Sequence, residues 1–234
     1  MAAFVLVHGA FGGAVSWRYL APVLRRQGHD VLAPSLTGLG DRAHLGGPQT
    51  NLSTHIHDIV GIIEHWDLRE VVLAGHSYGG LVVTGVADRV PERIAHLVYL
   101  DALLPEDGQS AMDLEGSDQL LANELEDGWL LILPEDLDIP RRPPSRGHPI
   151  GTFQERLHLS KPLEEQPFTR TYVKAALPPQ PPIGEPQGNF WNAANRVRNN
   201  PAWRYAELPG GHGMHRESPE TVAGLLLDLV RQNQ

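Results

Sequence analysis

The stretch VVLAGHSYGGLVVTGVADRV (residues 71–90) joins a short apolar run to a helical pattern through the pentapeptide G-H-S-Y-G. A short run that is apolar throughout is typical of a buried parallel strand, and the residues after it favour an amphipathic helix. Gly75 and Gly79 leave room for backbone that a β-carbon would block in a tight turn. In this context the pattern G-x-S-x-G predicts that Ser77 projects from the turn as a nucleophile. The alternative is a glycine-rich turn with an incidental serine.

Short apolar runs and helical patterns alternate along the rest of the chain. Such alternation implies right-handed βαβ crossovers, and so an α/β fold: a mainly parallel sheet of about six strands flanked by helices. The predicted strands are residues 2–9, 30–36, 71–76, 94–101, 169–176 and 203–208, and the predicted helices are residues 17–28, 52–66, 79–90, 190–200 and 218–232.

One connection interrupts this alternation. Residues 104–168 contain no clear core strand, but they hold a helical pattern in LLANELEDGW (120–129) and a proline–arginine stretch at 139–149. A structureless loop of this length is unusual in a compact domain. We therefore predict that residues 1–103 and 169–234 form the core, and that residues 104–168 form an inserted cap or lid. A partly disordered insertion is the alternative.

The composition excludes several classes of function. The formal net charge of -9 argues against nucleic acid and anionic membrane surfaces as partners. The absence of cysteine removes disulfides and thiolate metal sites, and none of the 12 histidines lies in an H-E-x-x-H pattern. No metal or cofactor is therefore expected. Without a basic signal-peptide region or a membrane-length apolar run, a cytoplasmic location is the default, and a homodimer stays open.

A serine hydroxyl needs an adjacent base to act as a nucleophile at neutral pH. On a strand–turn–helix scaffold of this kind the base follows the last strand, so the segment AELPGGHGMHRESPE (206–220) supplies the candidates. His212 follows Pro-Gly-Gly directly after the strand, and the glycines allow a loop that bends toward Ser77. We predict His212 as the base. His215 is the alternative base. If it has no catalytic role, we expect it to be a surface or cap-facing residue.

Acyl transfer also needs hydrogen-bond donors for the oxyanion of the tetrahedral intermediate. One donor should be the backbone N–H of Tyr78, the residue after the nucleophile. The other should come from the loop HGAFGG (8–13), where Ala10 or Phe11 is the expected donor. A phosphate cradle is the alternative for this loop, but the GxGxxG spacing and the P-loop lysine are absent.

Five segments of the chain resemble those of a known group of proteins. The segments VLVHGAFGGAVSW, GHDVLAPSLTGLGDR, VVLAGHSYGG, LVYLDALLPEDG and ELPGGHGMHRESP are similar to those of the α/β-hydrolase superfamily, and more narrowly to bacterial esterases related to plant methylesterases and hydroxynitrile lyases. The resemblance covers nearly the whole chain except the predicted cap. It implies the α/β-hydrolase fold and roles for Ser77 and His212, but it does not specify a substrate.

Two positions separate this chain from the plant lyases of that group. The lyases carry threonine where this chain has Gly9, and lysine just after the catalytic histidine, where this chain has Gly213. That lysine is the group that favours cyanide as a leaving species. Its absence therefore points toward ester hydrolysis.

The acid of the triad is missing from its usual place. In most α/β-hydrolases it follows the penultimate strand, but here TYVKAALPPQPPIGEP (171–186) offers only Glu185. The strand IAHLVYLD (94–101) ends in Asp101, and in a sheet ordered as in this superfamily it lies beside the strand that carries Ser77. An acid that follows this strand instead of the penultimate one has its anchor shifted by one strand spacing, about 4.8 Å, which a side chain and a loop can absorb. We predict Asp101 as the acid, with Glu185, a turn-capping role for Asp101, or neither acid as alternatives.

These residues predict a carboxylesterase-type serine hydrolase (EC 3.1.1) that acts on a small-molecule ester through an acyl-enzyme. Phe11 and Trp129 are candidate apolar residues of the pocket, although an aromatic side chain is more often part of the core. Alternatives on the same scaffold are a lactonase and a C–C cleaving hydrolase or hydroxynitrile lyase. A non-catalytic small-ligand receptor and a structural scaffold are alternatives of other classes.

Overall fold

A six-stranded, wholly parallel sheet is the centre of the computed structural model, which describes residues 1–115, 125–132, 147–176 and 189–231. The strands within these described residues are β1 (Ala3–Val7), β2 (Asp30–Leu32), β3 (Val71–His76), β4 (Ile94–Leu100), β5 (Leu125–Glu126), β6 (Leu130–Leu131), β7 (His148–Pro149), β8 (Thr169–Ala175) and β9 (Arg204–Leu208). The main sheet has the order β2-β1-β3-β4-β8-β9. This confirms the predicted fold class, although β2 is shorter than the predicted strand 30–36.

Helices cover both faces of this sheet. In the described part of the chain the α-helices are α1 (Leu20–Arg26), α2 (Leu52–His65), α3 (Gly79–Arg89), α4 (Ala111–Glu115), α5 (Gly151–Gln154), α6 (Asn189–Arg198), α7 (Met214–Glu217) and α8 (Pro219–Arg231). In β1, Val5 and Val7 pack into the core beneath α2 and α3, whereas Phe4 and Leu6 pack against α1 and α8. Because each strand buries both of its faces, its sequence is continuously apolar rather than alternating.

Parallel strands bring the candidate catalytic residues to one edge of the sheet. Ser77 follows the last residue of β3, and Asp101 follows the last residue of β4, the adjacent strand. His212 lies in the loop after β9. All three therefore belong to the carboxyl edge, where open α/β sheets place their ligand sites.

Between β4 and β8 the described residues form a small antiparallel sheet, β5-β6-β7, outside the main one. The helix predicted for residues 120–129 is wrong over its described part, residues 125–129. Asp127 and Gly128 both have positive φ (54° and 74°), and the N–H of Trp129 donates to the carbonyl of Glu126 at 3.2 Å. Positive φ at both central residues is what an Asp-Gly hairpin turn requires. The division into core and cap stays a prediction.

Gly80, in the first turn of α3, packs against the backbone of Leu103. A Cβ added at Gly80 would lie 1.9 Å from the carbonyl oxygen of Leu103, whereas one added at Gly61 in α2 would have nothing within 4 Å. Gly80→Ala should therefore lower the free energy of unfolding by about 1–3 kcal/mol or more. Gly61→Ala, the matched control, should raise it by about 0.5–1 kcal/mol, because alanine costs less conformational entropy in a helix. Urea unfolding of both variants measures the difference, and equal effects would contradict it.

Candidate active site

The Ser77 turn is held in a strained conformation by close backbone contacts. Ser77 has a φ of 54°, a region that residues with a β-carbon rarely occupy. The turn is tight enough that a Cβ at Gly75 would lie 2.6 Å from the carbonyl oxygen of Gly79, and one at Gly79 would lie 2.7 Å from that of Val7. Strain of this kind persists only where surrounding structure fixes it, and it concentrates at functional sites.

Asp101 is fully buried directly after β4, and its φ is also positive, at 44°. Its backbone N–H donates to the carbonyl of Val173 at 2.7 Å, which ties the residue to the adjacent strand β8. Its carboxylate oxygen Oδ2 lies 2.7 Å from Nδ1 of His212. Burial alone raises the pKa of Asp101, but the His212 hydrogen bond and the positive charge of Lys174 outweigh burial and lower it.

The His212 loop is anchored beside the Ser77 turn. Nε2 of His76, the residue before Ser77, donates to the backbone carbonyl of His212 at 2.8 Å. The His212 ring stacks on the Phe190 ring with centroids 4.8 Å apart. Because an ionised carboxylate only accepts hydrogen bonds, Nδ1–H of His212 donates to Asp101. In the neutral ring the lone pair then belongs to Nε2, the nitrogen that a general base uses in a Ser-His-Asp arrangement.

His215 does not lie at the surface or face the cap, so that part of the sequence interpretation is wrong. It is 1% exposed, and its ring lies 4.7 Å from the Trp17 ring and 4.2 Å from the His76 ring. The reason is that Met214–Glu217 forms the short helix α7, which turns His215 inward beneath the His212 loop. Burial lowers the pKa of His215 well below its usual value, so its neutral ring packs as part of the core.

The loop after β1 approaches the Ser77 turn closely. A Cβ at Gly9 would lie 2.8 Å from Cβ of Ser77. The N–H of Phe11, which has a φ of 56°, donates to Nδ1 of His148 at 3.1 Å. His148 is fully buried, and its Nε2–H donates to Oγ1 of Thr152 at 2.7 Å. A histidine between β4 and β8 therefore fixes the backbone of Phe11 and occupies its amide.

The other predicted site residues have different positions. The amide of Tyr78 lies at the N-terminus of α3, and the side chain of Tyr78 is buried, with its hydroxyl 2.9 Å from Nδ1 of His55. Trp129 is half-buried in the hairpin, and its ring lies beside Gly46. Its role in the pocket stays a prediction. Glu185 lies outside the described residues.

Three residues that contact the site were missed at the sequence level: His76, His148 and Lys174. His76 could have been found, because it is the second residue of G-H-S-Y-G and neighbours Ser77. Lys174 carried a weaker signal, a single cation within the apolar strand pattern TYVKAA. His148 carried none, since its distance from Phe11 in the chain is 137 residues.

Within residues 1–115, 125–132, 147–176 and 189–231, no three histidine, aspartate or glutamate side chains are grouped so that they could hold a metal ion. No helix in those ranges is long and apolar enough to cross a membrane.

Comparison with known proteins gives the family context of this site. The model of the alpha/beta hydrolase family matches residues 4–225. The carbendazim hydrolyzing esterase of Nocardioides sp. (strain SG-4G) is 56% identical over 114 residues, which are 49% of this chain and 47% of that protein. The alpha-hydroxynitrile lyase of Arabidopsis thaliana is 35% identical over 105 residues, 44% of this chain and 40% of the lyase. The alignments thus span less than half the length of these two relatives.

A solved structure matches over nearly its whole length. The extracellular alpha/beta-hydrolase from a Paenibacillus species is 27% identical, with a TM-score of 0.76. The match covers 98% of this chain and 99% of that one. The similarity therefore extends over the fold as a whole and not over one motif alone.

The buried histidines around the site make the stability of the fold depend on pH. Burial lowers the pKa of His8 and His55 to about 4, and it lowers the pKa of His76, His148 and His215 well below 6.5. Between these values and 6.5 the unfolded chain binds protons that the folded chain does not, so stability is lost as the pH falls. At pH 5 the loss should be about 2 kcal/mol for each of His8 and His55.

Urea unfolding at pH 7.5, 6 and 5 measures this loss. Replacement of one buried histidine by an apolar residue should flatten the pH dependence, because that site no longer takes up a proton on unfolding. A stability that stays constant from pH 7.5 to pH 5 would contradict the assignment of neutral, buried rings.

Proposed function

We propose that this chain, which belongs to the alpha/beta hydrolase family, is a serine hydrolase that cleaves carboxylic esters. In the proposed reaction Ser77 attacks the ester carbonyl while His212 takes its proton, and His212 then gives that proton to the leaving alkoxide. Water activated by His212 cleaves the acyl-enzyme and regenerates the serine. Asp101 holds the His212 tautomer and stabilises the imidazolium formed during attack.

One observation supports this proposal above the others. The carboxylate of Asp101 accepts from Nδ1 of His212 at 2.7 Å, and the next element of the same sheet edge is the strained Ser77 turn. A buried carboxylate that orients a histidine whose loop is tied to a serine turn is the arrangement that acyl transfer requires.

The proposed oxyanion donors are the backbone amides of Tyr78 and Ala10. The N-terminus of α3 behind Tyr78 favours developing negative charge. Sequence alone left Ala10 or Phe11 as the second donor. Because the Phe11 amide already donates to His148, we assign the role to Ala10. Loss of one such donor typically raises the barrier by about 3–4 kcal/mol.

The substrate proposal follows from the relatives. The names of two of them refer to carbendazim hydrolysis and to hydroxynitrile cleavage. We propose that this chain hydrolyses carboxylic esters, and we include carbendazim, a methyl carbamate, as a test substrate. A carbamate carbonyl is open to the same serine attack, since its leaving alkoxide can take the proton from His212.

Three finer parts of the proposal stand on the sequence. We propose that residues 104–168 form a cap over the site, with the Phe11–His148 hydrogen bond as a tie between cap and core. The cytoplasmic location and the homodimer stay predictions. Cell fractionation and sedimentation of the purified protein test them.

Substitution of Ser77 and Asp101 tests the proposed roles. Ser77→Ala should reduce kcat on p-nitrophenyl esters by roughly a million-fold and abolish fluorophosphonate labelling. Asp101→Asn should reduce kcat by about 10⁴-fold, because the amide nitrogen would face Nδ1 of His212 and favour the wrong tautomer. The asparagine oxygen can still accept from Lys174, so thermal melting should show a folded protein.

A substrate panel of p-nitrophenyl esters, aromatic esters, lactones and carbendazim completes this experiment. Near wild-type turnover by Asp101→Asn, together with collapse of Glu185→Gln, would overturn the assignment of the acid. Absence of Ser77 labelling in the wild-type protein would revive the ligand-receptor alternative.

Gly9 separates ester hydrolysis from lyase chemistry. A Cβ at this position would lie 2.8 Å from Cβ of Ser77 and 2.9 Å from Nδ1 of His76. Gly9→Thr should therefore displace the serine and lower kcat on esters by about 100-fold. It should not create cyanohydrin cleavage, which a cyanide-release assay measures. Gly224→Thr is the control, since nothing lies within 4 Å of its added Cβ. Cyanohydrin cleavage by the wild-type protein at rates matching its esterase activity would contradict the proposal.

A further inference from the structure

Lys174 is a fully buried lysine in β8, next to the proposed acid. Lysine is almost never fully buried unless its charge is paired. Leu100 of β4 pairs with Val173 of β8, so the next residues along the chain, Asp101 and Lys174, lie at the same level across the sheet. The two charged side chains therefore meet at the carboxyl edge, one strand away from Ser77.

The ammonium of Lys174 has three partners. It donates to Oδ1 of Asp101 at 2.7 Å and to the carbonyl of Ala175 at 2.9 Å, and it lies 4.5 Å from the centre of the Trp191 ring. An ammonium carries three donors, and an aromatic face is a favourable neighbour for a cation. Its position is thus fixed on three sides.

The carboxylate of Asp101 divides its two oxygens between two neighbours. Oδ1 accepts from Lys174 and from the backbone N–H of Ala175 at 3.2 Å, whereas Oδ2 accepts from His212. The contacts on Oδ1 come from β8, an element separate from the His212 loop. They therefore set the rotation of the carboxylate whether or not the histidine is in place.

We propose that Lys174 is a positioning residue for the triad acid: it fixes the Asp101 carboxylate with Oδ2 toward His212 and balances the charge of an acid that is buried after β4 instead of β8. This proposal rests on the proposed function, since it assigns to Lys174 a role through Asp101. It also gives a physical reason for the position of the acid after β4. The carboxyl end of β8, which the acid usually follows in this superfamily, carries a cation here.

A buried ion pair that only stabilises the fold is the competing explanation. Replacing such a pair is often neutral, whereas removal of one partner is destabilising. Stability alone therefore does not separate the two roles, but the dependence of activity on pH does. With Lys174 removed, the uncompensated carboxylate makes the Asp101–His212 pair take up a proton more readily, so the acid limb of kcat/KM should move to higher pH.

Several other titratable groups lie near the Asp101–His212 pair. Asp101 faces Lys174, His212 and the phenol of Tyr172, and burial together with the charge of Asp101 raises the pKa of Tyr172 well above its ordinary value. The His212 ring faces the Phe190 and His76 rings, and burial together with the charge of Arg216 disfavours protonation of His76. Burial lowers the pKa of His76 and His215 well below 6.5, so both stay neutral over the acid limb.

The experiment compares Lys174→Met and Lys174→Gln with the matched control Lys161→Met, which removes the charge of an exposed lysine. Active-site concentration is set by fluorophosphonate titration, folding by thermal melting, and kcat and KM are measured on a p-nitrophenyl ester from pH 5 to pH 9. Lys174→Met should lower kcat by about 10–100-fold, as expected for a slight misplacement of a catalytic group, with KM changed by less than about threefold. Its acid limb should lie at higher pH, and Lys161→Met should match the wild type.

Lys174→Gln separates position from charge. Its amide N–H can still donate to Oδ1 of Asp101, so it should recover part of kcat while its acid limb stays displaced. If Lys174→Met does not fold, the glutamine variant decides. Folded Lys174 variants with wild-type kcat and pH profile would overturn the proposal, provided that Ser77→Ala has abolished activity. Esterase activity that survives in Ser77→Ala would instead overturn the proposed function.

Discussion

The site depends on one buried carboxylate with a partner on each side. Asp101 is fully buried, and an ionised carboxylate loses more solvation free energy there than a single hydrogen bond returns. His212 contacts one oxygen and Lys174 the other. Lys174 belongs to β8, the strand beside β4, and His212 follows β9, the next strand in the order. The sheet topology therefore decides which acid can be paired.

Backbone strain is concentrated on the same edge. Six residues other than glycine have positive φ among those described, and three of them, Phe11, Ser77 and Asp101, are candidate site residues. Each follows a strand of the central sheet, β1, β3 or β4. Parallel strands end in rigid, hydrogen-bonded backbone, and a residue just beyond such an end can be held in an unfavourable conformation. The sheet thus supplies the rigidity on which the proposed oxyanion loop and nucleophile depend.

The sequence predicted most of the core, because continuously apolar runs and helical periodicity report burial on both faces of a parallel sheet. It failed at the hairpin of residues 125–131, where helix-forming Leu125 and Glu126 outweighed the Asp-Gly turn signal in our interpretation. It also misjudged His215, because a histidine after a glycine loop does not reveal which way the next short helix turns. Such details depend on tertiary packing that local patterns do not contain.

The contacts that support the site were hardest to predict. His148 meets Phe11, and Lys174 meets Asp101, across separations of 137 and 73 residues. No periodicity links such positions. What the sequence offered was a negative signal, the lack of an aspartate in residues 171–186, and a reason to look at Asp101. In place of that aspartate, β8 carries the buried Lys174, which pairs with Asp101.

The most direct measurement of the central claim is the proton NMR spectrum of the low-field imidazole region. A histidine Nδ1–H that donates to a buried carboxylate gives a proton resonance far downfield. The resonance is visible because burial slows exchange of this proton with solvent. The spectrum of the wild-type protein should contain this His212 resonance, and Asp101→Asn should remove it while Glu185→Gln leaves it unchanged. Its survival in Asp101→Asn, or its loss in Glu185→Gln, would contradict the assignment of Asp101 as the acid that orients His212.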